Sequence, residues 1–364
     1  MNSRTHPSAT SATTLTDRPS PAAAGSELPP PGSDIVVALG GGGARGLTHI
    51  GVLRTLEAAG YRICGVSGCS IGAIVGGIYC AGELDAYEEF VRGLTRSQVM
   101  RFLDPRLPTS GVFAGARLER LYQGFVGERR IEELQLPYSA LVVDLRSGEQ
   151  LALREGPLVR AMRASGSIPG LLRPVRWEGR WLIDGGVASI APITSARELR
   201  ELPVVAVSVS TLGLGAPRAA ASESSVAVTE EREATAESRL APMLDGLEAG
   251  RDAAAAKLSR GWERLRGYLA SGDDGDEGGG SVRRPSLVEV LDAMATISGH
   301  HLFRHQVGSE RPEVVITPRI DGVGMFDFHE ADALIAEGAR SAREVLGLPL
   351  TPDEPDGSGG DAVS

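Results

Sequence analysis

The sequence predicts an α/β fold, a three-layer sandwich with a mostly parallel central sheet between helices, and three observations lead there. A short apolar run, Asp34-Ile-Val-Val-Ala-Leu39, is followed by four glycines and then by apolar residues at helical spacing from Ala44 to Ala59. The unit repeats at once: Tyr61-Arg-Ile-Cys-Gly-Val66 leads through Gly68-Cys-Ser-Ile-Gly72 into a glycine-rich apolar helix ending near Cys80. Strand and helix alternating in this way stack helices on the faces of a parallel sheet. Third, 364 residues of which 42% are hydrophobic suffice for one large core.

The remaining elements follow in order. Residues 1–33, rich in Ser, Thr, Pro and Ala and without an apolar h-region, read as a disordered leader, neither secretory signal nor anchor. Residues 84–135 read as mostly helical with loops, 139–145 as a strand, 158–164 as a short helix, 180–183 as a strand entering Asp184-Gly-Gly186, and 203–209 as a buried strand. From about 212 to 285 the composition shifts to Ala, Glu, Ser and Gly, which predicts an insertion within a domain spanning 34–349. Inside it Leu244, Leu247, Ala254, Leu258, Trp262, Leu265 and Leu269 fall close to one stripe, an amphipathic helix. Packing on its own protein is the expected role, with a lid or membrane-touching helix as the alternative. Residues 286–306 read as a helix, 313–317 as a strand, 328–346 as a closing helix and 350–364 as a disordered tail.

Charge and cysteine content narrow the function classes. Against 47 acidic residues stand 37 Lys and Arg, a net charge of −10, so nothing broadly basic is present to neutralise nucleic-acid phosphates. Cys64, Cys69 and Cys80 are odd in number, lack a CxxC spacing and sit in apolar runs, as reduced thiols do. No stretch reaches the roughly 20 apolar residues of a spanning helix, so the expected location is the cytoplasm, with any membrane contact peripheral.

Three motifs carry chemistry. A serine hydroxyl is a poor nucleophile until it is exposed, oriented and paired with a base, and a tight strand-to-helix turn does the first two. Gly68-Cys-Ser-Ile-Gly72 supplies such a turn, with Ser70 at its tip and a helix N-terminus aimed at a developing oxyanion. A glycine-rich turn holding an incidental serine is the competing reading. The second motif, Gly40-Gly-Gly-Gly-Ala-Arg-Gly46, offers bare backbone amides at the mouth of a helix. A dinucleotide site would want an acidic residue about 20 positions on, where Gly68, Cys69 and Ser70 stand; a Walker A loop would end Gly-Lys-[Ser/Thr], whereas Leu47 and Thr48 follow Gly46. The third, Asp184-Gly-Gly186, puts a carboxylate at a strand end, although Asp-Gly alone is an ordinary turn.

The order of glycine loop, GxSxG on the second strand, and Asp-Gly-Gly more than a hundred residues later resembles the patatin-like phospholipase family, its small bacterial members most. The resemblance runs from about 34 to 346, interrupted near 212–285, and includes Val143-Asp-Leu-Arg-Ser-Gly-Glu149, Ala164-Ser-Gly-Ser-Ile-Pro-Gly170 and the closing helix. It implies a carboxylic ester hydrolase acting on lipid or acyl-ester substrates through a Ser-Asp dyad: Ser70 as nucleophile, Asp184 as base, and an acyl-enzyme intermediate. Gly41, Gly42 and Gly43 would form the oxyanion hole, with Arg45 at the family's basic position and Gly46, Gly68, Gly72, Gly185 and Gly186 supporting the motifs. No metal or organic cofactor is implied. One departure stands out: similar members carry Asn and Pro shortly after Asp-Gly, and here Val187-Ala-Ser-Ile-Ala-Pro192 keeps only the proline.

Two alternatives stay open at this point. A non-catalytic lipid-binding or regulatory module could use the same scaffold. An ordinary α/β-hydrolase would need a histidine, for which His329 at the start of the closing helix is the best candidate, while His49 reads as a packing or capping residue. His301 and His305 have the i, i+4 spacing of a metal pair but no accompanying ligand pattern.

Overall fold

In the computed structural model the described residues are 28–102, 113–209 and 287–350. The expected amphipathic helix and nearly all of the expected leader, insertion and tail lie outside them. Strand β1 (Asp34–Leu39) is buried on both faces, and its period of two divides the molecule. Ile35, Val37 and Leu39 enter one core, while the smaller Val36 and Ala38 enter a second on the opposite side.

Beside β1 lie β2 (Arg62–Cys69) and, across it, β3 (Tyr138–Asp144), both parallel to it in direction. On the other flank β7 (Val204–Val207) and β8 (Val314–Ile316) extend the parallel run. The far edge is antiparallel, with β4 (Gln150–Leu153) and β6 (Arg180–Asp184) pairing β3, and β5 (Val175–Trp177) pairing β6. The sheet order is β5-β6-β3-β2-β1-β7-β8, with β4 off this path.

Helices cover both faces. The larger core receives Leu53 of α1 (Thr48–Ala58), Ile78 of α2 (Ile71–Cys80), Tyr87 of α3 (Leu84–Arg92), Phe102 of α4 (Arg96–Phe102) and Leu121 of α5 (Ala116–Val126). Met162 of α6 (Leu158–Ser165) joins them there. The smaller core packs Ile193 and Ala196 of α7 (Ile193–Leu199) and Phe303 of α8 (Leu287–Glu310). Helix α9 (Ala331–Leu346) closes the larger side through Leu334 and Ile335. The fold is therefore the three-layer α/β/α sandwich with a mixed, largely parallel sheet. No helix among the described residues is long and apolar enough to cross a membrane.

Several boundaries differ from expectation. Packing begins ahead of residue 34, because Pro29 is buried and its carbonyl accepts the Tyr61 hydroxyl at 2.7 Å. The expected helix from 44 to 59 is split into a 3-10 turn, Gly43–Leu47, and α1, since the glycine loop bends into its helix through the tighter turn. Strands β4 and β5 and helix α7 were not anticipated; each is short, and their partners on β3, β6 and α8 are what hold them.

Candidate active site

Parallel strands present their carboxyl ends to a common crevice, and there the three motifs meet. Cys69, the last residue of β2, pairs with Leu141 on β3, and Asp184, the last of β6, pairs with the next β3 residue, Val142. Strand β3 runs on past the end of β2, and β6 returns antiparallel along that overhang. Its terminal carboxylate therefore stops level with Ser70.

Ser70 occupies the step between β2 and α2 with φ 55° and ψ −124°, a conformation that a non-glycine residue holds only under constraint. The constraint is visible on both sides. A Cβ on Gly68 would lie 2.3 Å from the Gly72 carbonyl oxygen, and one on Gly72 would lie 2.2 Å from that of Leu39. Ser165, at the end of α6, completes it: its hydroxyl accepts the Ser70 amide at 2.9 Å and donates to the Leu141 carbonyl at 2.7 Å. Ser165 lies in the quoted 164–170 segment, yet nothing local marked it as a clamp on the elbow.

Asp184 is 4% exposed. Its Oδ1 accepts the Gly186 amide at 2.8 Å, its own amide donates to the Ser167 carbonyl at 3.0 Å, and the Ser70 side chain lies near enough to the carboxylate to draw its pKa down. Burial pushes its pKa up from 3.8 to about 6, against the pull of Ser70, Gly186 and Cys69. The Cys69 thiol is buried and turned toward the site: it lies 3.7 Å from Asp184 Oδ1 and 3.5 Å from the Ser189 carbonyl. Burial, with the neighbouring Asp184 carboxylate adding to it, raises that thiol well above its ordinary pKa, so it is a neutral donor to Asp184.

The glycine loop faces Ser70, with the Gly41 Cβ position 3.1 Å from Ser70 Cβ. Of the three amides expected to hold an oxyanion, Gly41 is otherwise engaged, donating to the Ile190 carbonyl at 3.1 Å. Gly40 and Ala44 likewise donate to Val207 and Met325 carbonyls, which leaves the Gly42 and Gly43 amides available among the described residues. Arg45 lies in the same loop. Its Nε donates to the Gly42 carbonyl at 3.1 Å, one terminal nitrogen to the Val323 carbonyl at 3.2 Å, and the other to Asp292 at 2.5 Å. The guanidinium braces the loop from behind. Gly46 lets the loop's helix settle on Ile71, and Gly185 sits against the Leu141 carbonyl.

No histidine hydrogen-bonds Ser70 or Asp184 among the described residues. His329 has Asp327 as its carboxylate neighbour, at 4.0 Å, and His49 is buried with Nε2 2.8 Å from the Gly40 carbonyl. Burial lowers the His49 pKa to about 4, so it is a neutral strut beneath the loop. No group of three His, Cys, Asp or Glu side chains among the described residues is arranged to hold a metal ion.

From Ser70 and Gly43 an apolar pocket of about 120 Å³ runs between α2, α3, α4 and α5, walled by Ile74, Phe90, Val99, Phe102, Leu118 and Leu172. A buried carboxylate beside a strained serine, two open amides and an apolar slot make a constellation suited to acyl transfer.

Comparison with known proteins agrees with this chemistry. Residues 37–197 match the family model described as patatin-like phospholipase. An uncharacterized NTE family protein of Mycobacterium tuberculosis is 38% identical over 184 residues, 50% of this chain and 51% of that protein. Patatin-like phospholipase domain-containing protein 6 of Homo sapiens is 35% identical over 188 residues, 50% of this chain and 14% of its own length. The chain thus spans about half the length, or less, of these curated relatives. Among solved structures VipD from Legionella pneumophila aligns over 87% of this chain and 75% of its own, at 13% identity and a TM-score of 0.29, too distant to bear on the argument.

Proposed function

We propose that residues 37–197, which match the patatin-like phospholipase family model, form such a domain and that the chain hydrolyses carboxylic esters of lipids through a Ser70-Asp184 dyad. The observation that carries the reading is a buried carboxylate beside a serine on a strained elbow, close enough for the serine to lower its pKa, at the mouth of an apolar pocket. Asp184 takes the Ser70 proton as Oγ attacks the ester carbonyl. The oxyanion meets the Gly42 and Gly43 amides and the N-terminus of α2. Asp184 then gives its proton to the departing alcohol, leaving an acyl-serine whose chain lies in the pocket. Water, deprotonated by the same carboxylate, releases the acid. Peripheral contact with a lipid surface and a cytoplasmic location belong to the same reading.

Fluorophosphonate labelling tests it. The full chain is expected to take the probe at Ser70, and Ser70→Ala and Asp184→Ala are each expected to abolish hydrolysis of a p-nitrophenyl ester while remaining folded. An unlabelled, folded wild type would leave a lipid-binding module in place of an enzyme. Near-normal turnover by the Asp184 variant together with loss in a His329 variant would reinstate a Ser-His-Asp triad.

A further inference from the structure

We infer that α8, which lies outside the segment matched to the family, holds both catalytic loops in register, with Asp292 and Gln306 as positioning residues; the inference rests on the dyad reading above. Asp292 acts on the glycine loop. Its carboxylate grips Arg45 at 2.5 Å in a largely buried pair, and Arg45 in turn holds the Gly42 carbonyl, the oxygen of the same peptide group whose N–H is the Gly43 amide.

Gln306 acts on the aspartate loop. Residues 187–192 carry no side-chain amide of their own, and the buried Gln306 supplies one from outside. Its Oε1 accepts the Ile190 and Ala191 amides at 3.2 and 3.3 Å, and its Nε2 lies 2.6 Å from Ser189 Oγ and 2.8 Å from the Ala191 carbonyl. Within the same turn the Ile190 carbonyl receives the Gly41 amide, and the Ser189 amide donates to the Gly185 carbonyl. Gln306 therefore ties the loop after Asp184 to the loop that stabilises charge.

The spacing suits one rigid strut. Fourteen residues separate Asp292 from Gln306, about 21 Å of helix, and they lie within roughly 40° of one another around its axis. The opposite side of the helix is open, with Met294 59% exposed. A geometric error of 1 Å at a reacting centre costs about 100-fold in rate, so braces of this kind act on kcat and not on ground-state binding.

The experiment uses the full chain and its Asp292→Ala, Asp292→Glu, Gln306→Leu and Met294→Gln variants. For each, kcat and KM on a p-nitrophenyl ester, the rate of Ser70 fluorophosphonate labelling and the thermal midpoint are measured. Asp292→Ala and Gln306→Leu are expected to lower kcat and the labelling rate about 10- to 100-fold, the range typical of supporting residues, with KM within about twofold. Asp292→Glu should restore much of the loss, and Met294→Gln should match wild type. Unchanged kcat in both brace variants of an active enzyme would overturn the inference alone, as would losses that merely track the fraction folded. A wild type without a Ser70 adduct would overturn the dyad reading and this inference with it.

Discussion

At the scale of single residues, Asp184 and His49 titrate in opposite senses over nearly the same window. Burial raises Asp184 from 3.8 to about 6, so between those values the folded chain holds a proton that the unfolded chain has lost. Stability from this group falls as pH rises through the window, and the cost is fully present above it. Burial lowers His49 from 6.5 to about 4, so there the unfolded chain holds the extra proton, and stability rises with pH up to 6.5. In wild type the two slopes largely offset one another. Asp184→Asn removes one of them: it is expected to lack hydrolysis yet to be more stable above pH 6, by up to about 3 kcal/mol. Its thermal midpoint should also drop more steeply than that of wild type on acidification from pH 6.5 toward 4. A variant no more stable than wild type near neutral pH would refute the assignment of a strained buried carboxylate. In the proposed mechanism the same titration governs catalysis, because only the ionised carboxylate can take the Ser70 proton. A pH series of kcat/KM should show a single acidic limb centred near the free-enzyme pKa of about 6, with a plateau above it. A limb displaced to the ordinary range of Asp would remove Asp184 from the role of base.

Among elements, the tightest crossing is that of α1 and α9, and it is reciprocal. A Cβ on Gly51 would lie 2.0 Å from the Ile335 carbonyl oxygen, and one on Gly338 would lie 2.0 Å from that of Thr48. Backbone, not a flexible side chain, is what each would strike, so the helices must separate to admit a methyl group. Gly338→Ala is expected to cost about 1–3 kcal/mol, the usual range for overpacking, read as a lower urea midpoint at unchanged slope. A stabilised variant, as helix propensity alone would dictate, would show that the crossing is looser than described. Such contacts also mark what a sequence can display. The elbow at Ser70 was legible because its demands are local: glycines two positions either side of one serine are written within five residues. Asp184 was legible only through its order relative to the other motifs, since Asp-Gly is common. Ser165, Asp292 and Gln306 were not, because each acts across 95 residues or more of chain and its own surroundings look like ordinary helix. Arg45 and Gly41 were expected on the glycine loop, but which way a guanidinium or an amide turns depends on Asp292 and Ile190, partners that no spacing rule reveals.

Over the whole molecule, chemistry and selectivity come from different parts of the chain. The proposed dyad and its amides sit at strand ends, held by the sheet and by the braces inferred above. Much of the pocket wall comes from α3, α4 and α5, which are inserted between β2 and β3 and pair with neither strand, with Ile74 of α2 and Leu172 adding to it. Those helices meet through aromatic edges, Phe90 packing against both Phe102 and Phe125 with centroids 5.8 and 5.4 Å apart. Their side chains can therefore be exchanged without moving Ser70, and the size of the acyl group accepted should change independently of the reaction. Leu118, half-buried on α5, faces the pocket. An indole in its place removes room for roughly two to three methylenes, on the order of 2 kcal/mol or about 30-fold in discrimination at ~0.8 kcal/mol each. Leu118→Trp should accordingly lose activity toward p-nitrophenyl decanoate far more than toward the butyrate, with labelling by a small fluorophosphonate unchanged. Equal losses on both esters would mean that the acyl chain leaves Ser70 by another route, and the division between a catalytic sheet and a selective helical insert would fail with it.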